Sequence, residues 1–275
     1  MTPADRYLEL LKGCLTRNLF LDEQREEVHL VGKHVLLWKA FMQVEKGRDW
    51  RIVKPTPVDA TSREEGRDWP QNGETMLGKA RLDNIQDCVT SVLEDDVPGD
   101  LIEAGVWRGG AAILMRAVLE AHGVRDRSVW VADSFEGLPP PDADRYPQDA
   151  GLDYSAVPVL QVGVEQVRAN FAKYDLLDDQ VKFLPGWFKD TLDTAPIEQL
   201  SVIRLDGDLY ESTIDSIAAL YPKLAIGGYL IVDDYNAPNW DRAAGQAIRD
   251  YRDQHGITEP IREIDWTAIC WRRER

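Results

Sequence analysis

Cysteine is scarce in this chain: Cys14, Cys88 and Cys270 are odd in number and far apart. Neither they nor the four histidines form a metal-ligand spacing, which argues against a zinc site and for reduced thiols in a cytoplasm rather than a disulfide frame. Long apolar runs are absent as well. None approaches the roughly 18 residues that a bilayer span needs. The start, Met1-Thr2-Pro3-Ala4-Asp5-Arg6, has no basic segment leading into an apolar one, so no secretory signal is visible. Positive charge is in deficit: 32 Lys and Arg against 48 Asp and Glu leave a net charge of −16. Nucleic acid and anionic membranes both need basic patches, so neither is expected as a partner. Internal repeats and low-complexity tracts are missing too. These absences point to a cytoplasmic protein; a small-molecule acceptor and assembly as a homo-oligomer, a dimer or higher, are separate expectations.

With 275 residues, 44% of them hydrophobic, the chain has the material for one large domain or a domain plus a cap. Apolar residues spaced by three and four predict helices over 5–17 and 23–46. Residues 47–75 are rich in Pro, Gly and charge and read as ordered loop, with Arg67-Asp68 a surface ion pair of little weight. A helix is predicted over 76–93, ended by Pro98-Gly99. From Asp100 an alternation begins. Strands are predicted at 101–104, 128–133, 181–184, 201–206 and 229–233, helices at 109–122, 164–175, 212–224 and from Asp241 to His255, and a last, antiparallel strand at 267–271. This rhythm predicts a mostly parallel α/β sheet covered on both faces, residues 99–275, integrated with a helical and loop cap, residues 1–98. Trp38, Trp50 and Trp69 in the cap are expected to be packing residues. The loop 134–158, with its Pro139-Pro140-Pro141, is long for a connection inside a compact domain and suits a lid whose shortening affects the acceptor and spares the cofactor.

Three constellations carry chemistry. Val202-Ile203-Arg204-Leu205-Asp206-Gly207-Asp208 and Tyr229-Leu230-Ile231-Val232-Asp233-Asp234 read as buried strands ending in carboxylates, joined by one crossover helix and so able to be neighbours. Ligands of open α/β sheets bind outside the carboxyl ends of the strands. Carboxylates converging there repel one another unless a cation or shared protons neutralise them, and Mg²⁺ and Ca²⁺ take oxygen ligands. The second constellation, Glu103-Ala104-Gly105-Val106-Trp107-Arg108-Gly109-Gly110, is a Gly turn after the first strand of the sheet. It lacks the glycine spacing of the dinucleotide fingerprint and the Lys of a phosphate loop. Read without a ligand, it is simply a tight turn. The third is Asp133, 28 residues beyond Gly105, at the distance where an acid meets ribose hydroxyls; read alone, it caps a turn with Ser134. Together Glu103, Gly105 and Asp133 describe an adenosine pocket for a ligand without phosphates, such as S-adenosylmethionine. The pair Gly186-Trp187 can stack on a purine, while Phe188 reads as core.

Several collinear stretches resemble the macrocin O-methyltransferase family. They are Gly66-Arg-Asp-Trp-Pro70, Glu74-Thr-Met76, Glu103 to Gly110, Asp133-Ser-Phe-Glu-Gly-Leu138, Leu184-Pro-Gly-Trp-Phe-Lys-Asp190, Leu205-Asp-Gly-Asp-Leu-Tyr-Glu-Ser212 and Gly228-Tyr-Leu-Ile-Val-Asp-Asp-Tyr235. The likeness runs from about Tyr7 to Trp271. It implies a Rossmann-like class I methyltransferase sheet, S-adenosylmethionine and Mg²⁺ as cofactors, and methylation of a sugar hydroxyl on a macrolide, aminocoumarin or related natural product. It implies that Asp206, Asp233 and Asp234 hold Mg²⁺, with Asp206 also the base. Glu103 and Gly105 would line the methionine end of the cofactor, Asp133 and Ser134 the ribose, and Gly186 and Trp187 the adenine. Thr75 and Met76 would close over the cofactor and touch the acceptor. A phenol or catechol acceptor, a noncatalytic cofactor-binding protein and an NAD-dependent dehydrogenase are the alternatives; the acidic cluster weakens the second and the glycine pattern the third.

Overall fold

The structure, a computed structural model, describes residues 1–23, 25–27, 34–36, 38, 39, 53–238 and 240–275. Helix α1, Pro3–Leu15, opens with a reciprocal cap: Thr2 Oγ1 accepts from the Asp5 N–H, and Asp5 accepts from the Thr2 N–H. Strands β1, Arg25–Glu27, and β2, Val53–Pro55, form a two-stranded antiparallel ribbon with Glu26 opposite Lys54. This departs from the helix expected over 23–46: residues 25–27 are strand, residues 34–36, 38 and 39 are helical, and 24, 28–33, 37 and 40–46 lie outside the described residues. The pairing partner is far away in sequence, so a local period cannot reveal it. Trp50 also lies outside the described residues. The expected loop 47–75 contains a short helix as well, α2, Ala60–Glu64, because Asp59 accepts from the Thr61 and Ser62 N–H groups. Its Arg63 is buried and makes a bidentate pair with Asp68. Asp68 is therefore not the partner of Arg67, which pairs with Glu65 instead.

Helix α3, Lys79–Glu94, leads into β3, Asp100–Ala104, and α4, Gly110–Ala121. There follow β4, Val129–Asp133; α5, Val164–Lys173; β5, Val181–Pro185; the single turn α6, Phe188–Thr191; β6, Leu200–Leu205; α7, Tyr210–Leu220; β7, Leu224–Val232; α8, Ala244–His255; β8, Arg262–Glu263; and β9, Ile269–Arg272. The sheet runs β5-β4-β3-β6-β7-β9-β8. Strands β5 to β7 are parallel, and β9 pairs antiparallel with both β7 and β8. Strand β7 begins five residues earlier than expected. Gly227, at φ +87°, marks an irregularity with a register shift against β6 rather than the strand's end.

The period-2 alternation of the strands sorts side chains into two cores. Leu101, Val129, Val131, Val202 and Ile231 face α3, α4 and α5, and α1 joins the same core from behind α4. Ile102, Ala104, Trp130, Ile203, Leu205 and Leu230 face α7 and α8. Helix α4 is buried along nearly its whole length, because α1 and α3 cover the side that α4 turns away from the sheet. Strand order reverses between β3 and β6. That is the switch point of a doubly wound sheet, where a crevice opens at the carboxyl ends.

Candidate active site

The crevice is shaped by backbone that L-residues rarely adopt. Gly105 at φ +88° and Gly109 at φ +87° turn the chain after β3, and a Cβ on Gly105 would lie 1.9 Å from the Asp206 carbonyl oxygen. Only glycine lets the β3 turn pass this close to the β6 turn. Three non-glycine residues at the same sheet edge also have positive φ: Trp107 (+47°) after β3, Phe135 (+58°) after β4 and Asp208 (+58°) after β6. Strain of this kind concentrates at functional sites.

Asp133, at the end of β4, accepts from the N–H groups of Val106 (2.8 Å) and Phe135 (2.7 Å). Burial raises its carboxyl and these hydrogen bonds lower it, with a net rise. A carboxylate has about four acceptor positions, so it retains capacity for a diol. Ser134 donates its hydroxyl to the Gly137 carbonyl, so it shapes its own turn. Gly186 donates its N–H to the Asp133 carbonyl and sets the entry of Trp187.

Two compartments meet here. The larger, about 390 Å³, is lined by Gly105, Trp107, Asp133, Ser134, Trp187 and Phe188, and by Gly137 to Pro140 of the lid segment. The smaller, about 230 Å³, is lined by Trp69, Thr75, Tyr154, Trp240 and Trp266 and by the carboxylates of Asp233 and Asp234. Met76, Trp107, Leu138, Leu160, Asp206 and Asp208 border both. Phe188, read as core, does pack against the core on the α7–α8 side and also borders the larger compartment, whereas Trp69, read as packing, is exposed at the smaller. The lid belongs to both compartments, so shortening it cannot spare the larger one. Its anchor is Asp149, wholly buried, whose carboxylate accepts from the N–H groups of Tyr210 (2.6 Å) and Glu211 (3.2 Å) at the start of α7.

The carboxylates divide into two groups. Asp206, Asp208 and Asp234 offer oxygens that all lie within 4.8 Å of one another. Burial, then the repulsion of Asp233, raises Asp206; burial, then Asp206 and Asp233, holds Asp208 well above the usual range. Asp234 is raised likewise by burial and by Asp208, and its Oδ2 is buried with no hydrogen-bond partner. Crowded oxygens with one buried and unsatisfied are a set that could hold a hard cation. Asp233 differs. Its Oδ1 accepts from Arg204 (2.5 Å) and its Oδ2 from Arg81 (2.5 Å). Burial would raise its carboxyl, but these two guanidinium groups hold it below the usual range. The trio that the structure groups therefore contains Asp208 where the sequence reading had Asp233.

Glu103 is also committed within the fold. One oxygen accepts from Arg204 (2.6 Å) and the other from the Ala112 N–H (2.8 Å). These bonds fix Arg204 and the start of α4 and leave each oxygen a further acceptor position, at a residue that also lines the smaller compartment. Burial pushes its carboxyl up to about 8, against the pull of Arg204.

Arg204, Arg81 and Asp149 had no role in the sequence reading. Arg204 was legible in principle, since a charge inside an apolar central strand demands partners. Arg81, on a helix 152 residues before Asp233, carried no such signal.

The macrocin-O-methyltransferase family model matches residues 4–273. The 8-demethyl-8-(2,3-dimethoxy-alpha-L-rhamnosyl)-tetracenomycin-C 4'-O-methyltransferase of Streptomyces olivaceus is 57% identical, covering 98% of this chain and 92% of that protein. The mycinamicin III 3''-O-methyltransferase of Micromonospora griseorubida is 44% identical, covering 99% and 98%. The solved structure of the O-methyltransferase NovP superposes with a TM-score of 0.84 at 44% identity, covering 99% of this chain and all of that one.

Proposed function

The chain belongs to the macrocin O-methyltransferase family and is an O-methyltransferase, and from that premise we propose that it moves a methyl group from S-adenosylmethionine to a sugar hydroxyl of a glycosylated natural product, with Mg²⁺ at the carboxylate centre. The observation that carries this reading is the meeting of the two compartments at Asp206 and Asp208. A methyl donor in one and an acceptor in the other would meet along this shared border, where Asp206 and Asp208 are the ionisable groups. The name of the Streptomyces olivaceus relative gives a rhamnosyl-bearing tetracenomycin as its acceptor, which supports a deoxysugar here.

In the larger compartment Asp133 would hold the ribose hydroxyls, while Trp187 and Phe188 would flank the adenine. No phosphate-loop Lys follows the Gly105 turn, and its Arg108 is spent on the Pro70, Gln71 and Gly73 carbonyls, which suits a ligand without phosphates. Asp206 and Asp234 would hold the cation, with Asp208 the third oxygen in this geometry or Asp233 if it releases an arginine. Bound there, Mg²⁺ would supply Lewis acidity that lowers the pKa of a sugar hydroxyl. Asp206, its own pKa raised by burial, would accept the hydroxyl proton at a carboxylate oxygen, with Asp208 the alternative base. Met76, Trp107 and Leu138 would exclude water and align oxygen, methyl and sulfur for in-line displacement.

Calorimetry with S-adenosylhomocysteine and intact-mass assays on deoxysugar glycosides test the proposal. Binding weakened by Asp133→Ala, and a methylated product that disappears with EDTA and returns with Mg²⁺, are expected. Full activity in EDTA would remove the metal from the reading. Unchanged affinity in Asp133→Ala would move the cofactor elsewhere.

A further inference from the structure

Trp107 borders both compartments and is also tied to the lid. Its indole N–H donates to the Val159 carbonyl at 2.7 Å, across 52 residues. Val159 belongs to the returning limb, residues 153–161, that carries the lid toward α5. Leu160, next to it, borders both compartments too. Among the described residues, every other hydrogen bond of residues 153–161 stays inside that stretch. The indole N–H is thus the limb's hydrogen bond to the rest of the fold. Tyr154, on the same limb, stacks on Trp240 with ring centroids 5.2 Å apart and lines the smaller compartment. The indole is held from its own side as well. The Arg108 guanidinium lies 4.2 Å from its ring centroid and donates to the Pro70, Gln71 and Gly73 carbonyls. The backbone at Trp107 has φ +47°, which a bulky residue rarely adopts. The turn therefore dictates where the indole goes.

The same turn reaches the ribose site. Asp133 accepts from the Val106 N–H at 2.8 Å, and the Trp107 backbone N–H also acts on that carboxylate. A ribose on Asp133 would share its acceptor with these two N–H groups. An unbroken set of contacts then runs from Asp133 through the Val106–Trp107 backbone and the indole N–H to Val159. It ends at the wall of the smaller compartment. We propose that Trp107 is a positioning residue that couples cofactor occupancy to the acceptor compartment by holding the returning limb in place. This rests on the reading of the larger compartment as the cofactor site. A cofactor on Asp133 fixes the turn, the fixed indole fixes the limb, and Tyr154 and Leu160 then wall in the acceptor. Coupling between two sites is reciprocal and typically about 5- to 150-fold in affinity. A bound cofactor should therefore order the limb and tighten acceptor binding.

Amide hydrogen exchange of the full chain, with and without saturating S-adenosylhomocysteine, tests the coupling. Calorimetry reports binding of the same ligand separately. The amides to follow are those of Val157, Leu160 and Gln161, which are bonded within the limb. The ligand should slow their exchange about 5-fold or more. Trp107→Phe keeps a flat ring and removes the N–H, and benzothienylalanine in place of Trp107 removes the N–H with the shape of the indole retained. In both, saturating ligand should no longer slow the limb, while slowing at Phe135 and Glu136, beside Asp133, should persist. A Trp107 that only supports the fold would speed exchange equally with and without ligand and leave their ratio unchanged. An unchanged ratio in both variants therefore overturns the proposal. So does loss of ligand binding in both, because the N–H would then serve the cofactor and not the limb. Binding to the unaltered protein without slowing of the limb sinks the coupling and leaves the cofactor reading. Absence of binding to the unaltered protein sinks the cofactor reading and the coupling with it.

Discussion

At Asp233 two guanidinium groups outweigh the cost of burial and hold the carboxyl low, while at Asp234, the next residue, burial and neighbouring carboxylates hold it high. The two have opposite linkage. Asp233 stabilises the fold above the usual Asp range, near 3.8, and that contribution is lost as pH falls through its lowered value. Asp206, Asp208 and Asp234 bind protons more tightly folded than unfolded, so without a cation their contribution falls as pH rises above 3.8. A cation must displace those protons. The increase in melting temperature on adding Mg²⁺ to EDTA-treated protein should therefore be larger at pH 8 than at pH 6. An equal increase at both values would show that the cluster is already deprotonated. At Gly105, substitution by Ala places a Cβ 1.9 Å from the Asp206 oxygen, at a φ unfavourable to alanine. Displacement of Asp206 by about 1 Å can cost on the order of 100-fold in rate. Gly105→Ala should thus lose about 100-fold in kcat on the authentic acceptor, and near-normal turnover would mean the β6 turn can move without consequence. Asp206→Asn should lose most turnover while keeping S-adenosylhomocysteine affinity, because an amide cannot take the proton.

Among the elements, the lid and α7 depend on one another. The first N–H groups of α7 have no side-chain cap from their own segment, and Asp149 reaches in from the lid to accept from two of them. Losing such a cap costs about 1 kcal/mol. The same residue holds Leu138 and Tyr154 near Leu209 and Trp240, in a small apolar cluster that joins the lid to the turns after β6 and β7. Asp149→Ala should lower stability by about that amount in denaturant titration, and should raise KM for cofactor and acceptor together, since the lid lines both compartments. A rise confined to the acceptor would mean that the lid's cofactor side is held by other contacts.

Across the whole molecule, the N-terminal layer is tied to the sheet by charge as well as by apolar packing. Arg81 on α3 reaches Asp233, Asp265 and Thr267, all beyond the crossover strands. It is 7% exposed, and removing one partner of a buried pair costs about 3–5 kcal/mol because the other charge is left unpaired. Arg81→Ala should destabilise the protein by that order in equilibrium unfolding. It should also raise the pH at which Asp233 titrates. A change below about 1 kcal/mol would show that water or Arg204 compensates.

The parallel sheet, its crossover helices and the acidic strand ends were legible in the sequence, because buried parallel strands are continuous apolar runs and one helix of crossover makes two strands neighbours. Gly105 and Asp133 were legible for the same reason, as turn residues at strand ends. The partition of the acids was not. Asp206, Asp208, Asp233 and Asp234 are one residue type in two adjacent stretches, and what separates them is which face guanidinium groups, and only for Asp233 do both oxygens. Arg81 joins Asp233 across 152 residues, and Asp149 caps a helix 61 residues on. The β1–β2 ribbon and the aromatic wall of Trp69, Tyr154, Trp240 and Trp266 likewise assemble residues from distant segments. Local chemistry follows from period and residue type, whereas the choice of partner for a charge or a ring depends on distances that only the closed chain sets.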